Sequence, residues 1–183
     1  PPEDAKRDDQ ATRIIATLMQ KLWRPVPENH GLRTLESWTQ ALTTYQGNEI
    51  PKQYVDKAKS LLEELLPTSE PVLLHGDLHH DNILSAVREP YLAIDPKGLI
   101  GNRAYDVTAA MLNPDNPLLA KNSQLVKILE RRASIFSEML GLDKQEILSW
   151  TFIQYLLGSI WSLEDHGEGW ESGGFMEAFE KLM

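Results

Sequence analysis

The chain has 183 residues, 42% of them hydrophobic and 25% charged, enough length and apolar content for one domain with a proper core. That composition excludes disorder, collagen-like repeats and coiled coil; the absence of cysteine excludes a disulfide scaffold, a zinc ribbon and thiol catalysis, and fits a reducing, cytoplasmic setting. A net charge of −9 disfavours nucleic acid and anionic membrane surfaces as partners and favours a cationic one.

The opening Pro1-Pro2-Glu3-Asp4 is neither a signal peptide nor a natural initiation, so the chain is expected to begin inside a longer protein. Ile14, Ile15, Leu18, Met19 and Leu22 recur at helical spacing and predict a helix stopped by Pro25 and Pro27. Leu35, Trp38, Leu42 and Tyr45 predict a second, ending at Gly47. Pro51 suits a first helical turn, and Tyr54, Val55, Ala58, Leu61, Leu62, Leu65 and Leu66 predict a third helix up to Pro67. Residues 1–66 therefore read as a helical segment.

Between 71 and 98 the pattern changes. Val72-Leu73-Leu74-His75, Asn82-Ile83-Leu84 and Tyr91-Leu92-Ala93-Ile94 are short apolar runs rich in strand formers separated by turn residues, expected as a β-hairpin region on one small sheet. Residues 103–183 read as a helical subdomain. Ala104, Val107, Ala110 and Met111 predict a helix ended by Asn113-Pro114, and two longer helices follow at roughly 122–140 and 144–165. The last has Asp143 at the cap and Glu146 three residues later, a capping-box spacing, and is apolar nearly all round, as suits a buried central helix. Its longest apolar stretch, Phe152 to Leu163, is interrupted by Gln154, Gly158, Ser159 and Ser162 and is too short to span a bilayer. From Glu164 to Glu180 there are six acids and no Lys or Arg, read most simply as a solvated acidic face. Gly167-Glu168-Gly169-Trp170-Glu171-Ser172-Gly173 superficially suggests a phosphate loop, but no strand precedes it, and it reads as a connection.

The chemistry concentrates in His75-Gly76-Asp77-Leu78-His79-His80-Asp81-Asn82-Ile83-Leu84 and Ala93-Ile94-Asp95-Pro96-Lys97-Gly98. Asp77 lies just past one strand, Asn82 opens the next and Asp95 ends the third, which would bring three oxygen acceptors to one rim. Two such groups can hold Mg²⁺, which prefers hard oxygen ligands, and the third can orient a hydroxyl and accept its proton. Taken singly, each is equally at home as turn chemistry. The joint spacing is the signal.

The five-residue step from Asp77 to Asn82 matches that of the protein-kinase catalytic loop. The string His75-Gly76-Asp77-x-His79-x-x-Asn82 resembles the aminoglycoside phosphotransferase family. With Ile94-Asp95-Pro96-Lys97-Gly98 and Ala104-Tyr105-Asp106-Val107 it resembles more narrowly the aminoglycoside/hydroxyurea antibiotic resistance kinases, a branch that includes the streptomycin 6-kinases. The resemblance implies the mainly α C-terminal lobe of a protein-kinase-like fold, with the strand-rich N-terminal lobe missing from these residues and the isolated fragment inactive. It implies ATP (or GTP) and Mg²⁺, and phosphoryl transfer to a hydroxyl of a small molecule, such as the aminoglycoside streptomycin. Asp77 would be the catalytic base, Asn82 and Asp95 the metal ligands, and His75 and Asp106 braces of the loop. Lys97 would touch phosphate or serve at the surface. Trp161, Glu164 and Asp165, at the end of the central helix, are candidate contacts to a cationic acceptor. Two rival readings stand beside it: an HD-type phosphohydrolase using His75, His79, His80, Asp81 and Asp106 as metal ligands, and a non-catalytic kinase-like binding module.

Overall fold

The computed structural model describes residues 3–29, 31–67, 70–113, 117–167, 170 and 173–183. Helix α1 (Glu3–Leu22) buries Ile15, Leu18 and Met19 and packs along a later helix of the subdomain. Two-residue strands β1 (Arg24–Pro25) and β2 (Arg33–Thr34) follow, so the segment up to residue 66 is not wholly helical. The helix expected from Leu35 to Tyr45 is two short ones, α2 (Leu35–Trp38) and α3 (Gln40–Thr44). They part at buried Thr39, whose hydroxyl donates to the Leu35 carbonyl at 2.8 Å and so competes with the backbone ladder. Helix α4 (Lys52–Leu65) buries Val55, Ala58, Leu62 and Leu65, the face its spacing predicts.

The middle contains β3 (Val72–Leu74), a 3₁₀ turn at His80–Asn82, β4 (Ile83–Ser85), β5 (Tyr91–Ala93) and β6 (Leu99–Gly101). These form two sheets rather than the single one expected. One has the order β1-β3-β6-β2, with β3 antiparallel to both neighbours and β2 parallel to β6; the other is the β4–β5 hairpin alone. Both edges of β3 are occupied, so the hairpin has no edge there to join. Gly101 is required by close approach: a Cβ on it would run into the Leu35 side chain, separating β6 from α2.

Beyond β6 the single helix expected after Gly101 is divided at Val107 into α5 (Arg103–Asp106) and α6 (Thr108–Leu112). Pro114 lies outside the described residues. Then come α7 (Pro117–Ala120), α8 (Leu125–Leu140), α9 (Lys144–His166) and α10 (Phe175–Leu182). Helix α9 is the buried centre, with Trp150, Phe152, Ile153, Leu156 and Leu157 enclosed among its neighbours. Asp143 caps it through the Glu146 N–H at 2.8 Å, but the reciprocal half of the capping box is absent. The Glu146 carboxylate instead accepts from Asn102, the cap of α5. The acidic stretch after α9 is only partly a solvated face, since α10 inserts Phe175, Met176, Ala178 and Phe179 into the core with Glu177 and Glu180 outside. Glu168, Gly169, Glu171 and Ser172 of the glycine-rich stretch lie outside the described residues. Among the described residues no helix is long and apolar enough to cross a membrane.

One buried cation ties three helices together. Arg132 on α8 is 4% exposed; it donates to the carbonyls of Ala110, Met111 and Asn113 at the end of α6, and to Asp8 of α1. Its neighbour Arg131 binds Asp8 and Asp9 from a more exposed position. Arg132→Met would leave those carbonyls unpaired in the interior and Asp8 held by Arg131 alone. It is expected to cost about 3–5 kcal/mol, seen as a lower urea midpoint, whereas Arg131→Met should cost about 1 kcal/mol.

Candidate active site

The site is built on the end of β3. The N–H groups of His75 and Gly76 donate to the Asp106 carboxylate of α5 at 3.3 and 2.6 Å, and Trp23, just past α1, donates its indole N–H to the same carboxylate at 2.8 Å. Asp106 is 1% exposed; burial pushes its pKa above the ordinary carboxylate value while these three donors pull it back. Gly76 then turns the chain with φ of 81°, where a Cβ would press on Leu99 at 3.0 Å and on the Lys97 stem at 3.2 Å. The His75 carbonyl accepts from the N–H groups of Lys97 (2.8 Å) and Gly98 (3.2 Å), which lays the segment after Asp95 against the turn.

The His75 ring is buried and both its nitrogens are engaged. Nδ1 accepts from the Asp77 N–H at 3.3 Å, so the ring proton resides on Nε2 and is donated to the Ile94 carbonyl at 2.9 Å. The Asp77 side chain is 30% exposed, with Oδ2 at 3.3 Å from Lys97 Nζ and Oδ1 at 3.8 Å from His79 Nε2. Its carbonyl accepts from Asn82 Nδ2 at 2.8 Å, an assignment that leaves the Asn82 Oδ1 as the oxygen available to a cation. The Ile94 N–H donates to the Asn82 carbonyl at 3.0 Å, extending the β4–β5 ladder by one bond, with Asp95 the residue after Ile94 at the open end of the hairpin. Asp95 is exposed in the left-handed region, φ 56°, and among the described residues no cation pairs with it.

Asp77 thus follows β3 of one sheet, while Asn82 and Asp95 flank the β4–β5 hairpin of the other, and Asn82 holds the Asp77 carbonyl across the gap. Trp23 lies outside every motif, and Tyr105, though inside one, is given no role by it. Tyr105 is buried; its hydroxyl accepts from Trp38 Nε1 and donates to Gln154 of α9, both at 2.6 Å. Burial pushes its pKa up, with the charges of Asp106 and Asp77 adding to the shift. Trp38 meets Trp161 edge to face at 5.2 Å and carries Arg33 over its ring at 5.7 Å. Trp161 is therefore half-buried against a second indole, and Glu164 and Asp165 stand exposed in the last turns of α9. The hydrolase reading loses its ligands: His75 and Asp106 are committed to the loop, and among the described residues no three His, Cys, Asp or Glu side chains converge as a metal set.

The sequence matches the family model for aminoglycoside/hydroxyurea antibiotic resistance kinase over residues 3–166. It is 32% identical over 169 residues to streptomycin 6-kinase of Streptomyces glaucescens, covering 86% of this chain and 53% of that protein. It is 32% identical over 169 residues to streptomycin 3''-kinase of Klebsiella pneumoniae, covering 87% and 60% respectively. Hydroxyurea phosphotransferase of Kitasatospora aureofaciens is 32% identical over 93 residues, 51% of this chain and 25% of that protein. The chain spans about half the length of the curated streptomycin kinases it matches.

His80 gives the loop a pH dependence. Its Nδ1 is buried and finds no partner among the described residues. Burial, followed by the charge of Arg132, pushes its pKa down from the ordinary value of 6.5, with Asp8 opposing. The folded chain then resists protonation that the unfolded chain accepts, so stability is present above the unfolded pKa and is lost as pH falls below it. Urea denaturation should show a lower midpoint at pH 5.5 than at pH 7.5, and His80→Leu should narrow that difference.

Proposed function

We propose, from the premise that this chain belongs to the aminoglycoside/hydroxyurea antibiotic resistance kinase family, that it forms the phosphoryl-transferring lobe of an ATP- or GTP-dependent small-molecule kinase. The observation that carries this reading is the pair of hydrogen bonds at Asn82. Its side chain holds the backbone of Asp77, and its carbonyl accepts from Ile94 beside Asp95, so one residue ties the base to the metal ligands.

In this reading Asp77 orients the acceptor hydroxyl and takes its proton as the new O–P bond forms. Its backbone is fixed at both sides, by the His75 ring at its N–H and by Asn82 at its carbonyl, so the carboxylate is pre-positioned and still open to solvent. Asn82 Oδ1 and the Asp95 carboxylate are hard oxygen donors and fit Mg²⁺, which when bound neutralises the nucleotide phosphates. We assign the glycine-rich flap and the phosphate-pairing lysine to the half of such an enzyme to which these residues do not correspond, which makes this chain the C-terminal lobe of a kinase-like fold. The named relatives support an aminoglycoside such as streptomycin as acceptor, and the net charge of −9 with exposed Glu164 and Asp165 beside Trp161 supports a cationic one.

In the full-length protein, Asp77→Asn is expected to lower kcat by about 10³-fold with the fold intact, because the isosteric amide keeps the shape and loses the proton acceptor. Asn82→Ala and Asp95→Ala should raise the Mg²⁺ concentration needed for half-maximal rate; a steady-state assay with titrated Mg²⁺ reads both, and wild-type turnover in Asp77→Asn would refute the assignment of the base. For the acceptor, Glu164→Lys with Asp165→Lys should raise the KM for streptomycin by about fivefold at low salt and leave the nucleotide KM unchanged, the effect fading as salt screens it.

A further inference from the structure

We propose that Lys97 is a catalytic residue, the cation that this chain itself supplies to the transferring phosphoryl group; the inference rests on Asp77 being the base. Lys97 Nζ lies 3.3 Å from Asp77 Oδ2. An ion pair between partly exposed side chains stabilises a fold very little, so the pairing has no evident structural purpose. What is unusual is how firmly the root of this side chain is held. The Lys97 N–H donates to the His75 carbonyl at 2.8 Å, and His75 is the residue whose ring orients Asp77. The Lys97 stem lies over Gly76, so close that a Cβ there would sit 3.2 Å from it. The root is therefore fixed on the turn that carries the base, while the side chain is 49% exposed and its ammonium faces solvent as well as Asp77.

Charge supplies the reason for this arrangement. An ionised Asp77 and the terminal phosphoryl must approach one another with only the acceptor hydroxyl between them, and their like charges repel. An ammonium beside the carboxylate offsets that repulsion. In the transfer itself the acceptor O–H bond breaks and its proton passes to Asp77. The acceptor oxygen bonds to phosphorus, and the bond from phosphorus to the bridging oxygen breaks, with its electron pair leaving on the nucleoside diphosphate. Lys97 stays protonated throughout. As Asp77 becomes neutral, Lys97 loses its partner, and its full charge turns to the phosphoryl oxygens at the moment negative charge redistributes over them. The approach of Lys97 to Asp77 is thus a resting contact that the reaction releases.

The test uses the full-length protein with Lys97→Met, Lys97→Gln, Lys97→Arg and Asp77→Asn. Turnover is measured together with affinity for Mg·ADP alone and for Mg·ADP with aluminium fluoride, a mimic of the phosphoryl in flight. Lys97→Met and Lys97→Gln should each lower kcat by about 100-fold, with acceptor KM and Mg·ADP affinity nearly unchanged. Affinity for the aluminium fluoride complex should fall by a comparable factor, and Lys97→Arg should recover part of both losses. The inference is overturned if the neutral variants keep wild-type kcat and aluminium fluoride affinity while Asp77→Asn is dead. It is equally overturned if both nucleotide complexes weaken alike, or if the variants lose their thermal midpoint, since Lys97 would then be structural. An active Asp77→Asn would instead remove the base on which the inference stands.

Discussion

A carboxylate withdrawn from water must be met by converging donors, and the site hangs on one that is. Asp106 receives the N–H groups of His75 and Gly76 and the indole of Trp23, from the end of β3 and the end of α1, while its own backbone opens the subdomain through α5. Each of those donors would lose about 1–3 kcal/mol if left unpaired in the interior. The position of the turn after β3 is therefore set from below, by a buried carboxylate, rather than by the three-residue strand that leads into it. Such a strand is too short to fix its own end.

From that anchor the order passes outward in steps that each use a backbone group. The Gly76 turn admits no side chain, which lets Leu99 and the Lys97 stem close over it. The His75 carbonyl takes two N–H groups from the segment returning after the hairpin, and its ring bridges Asp77 to Ile94. A histidine with both nitrogens engaged in this way serves as a spacer of fixed length. It joins a four-stranded sheet to a separate hairpin, with Asp77 on one side of that joint and Asn82 and Asp95 on the other.

Much of the fold is legible in the sequence itself. The 3.6-residue recurrence of Ile15, Leu18 and Met19, or of Val55, Ala58, Leu62 and Leu65, reports burial directly, so the long helices and their inner faces follow from the pattern. The Asp77-to-Asn82 step and the following Asp95 are equally plain in the chain, because their spacing is local. What escaped were features with no period to show. β1 and β2 have two residues each, and β6 ends in a glycine, so no alternation exists to read. The break at Thr39 depends on a hydroxyl choosing a carbonyl. Glu146 looked like half of a capping box and turned to Asn102, a residue 44 positions away. Trp23 and Arg132 act through partners distant in sequence, and nothing local to either residue marks them.

The left-handed backbone at Asp95 has a consequence for sequence drift. Asparagine and aspartate tolerate φ near +56° because their short polar side chains bond locally, whereas longer or branched residues resist it. At this position glycine and asparagine keep the backbone and lose the charge. Glutamate keeps the charge but fits the backbone poorly, and its extra methylene moves the carboxylate. In the proposed metal site, two independent demands, one conformational and one electrostatic, intersect at a single amino acid. A lineage that departs from aspartate here has no neighbouring residue type through which to pass gradually, so the position should be either held or abandoned together with the chemistry it serves.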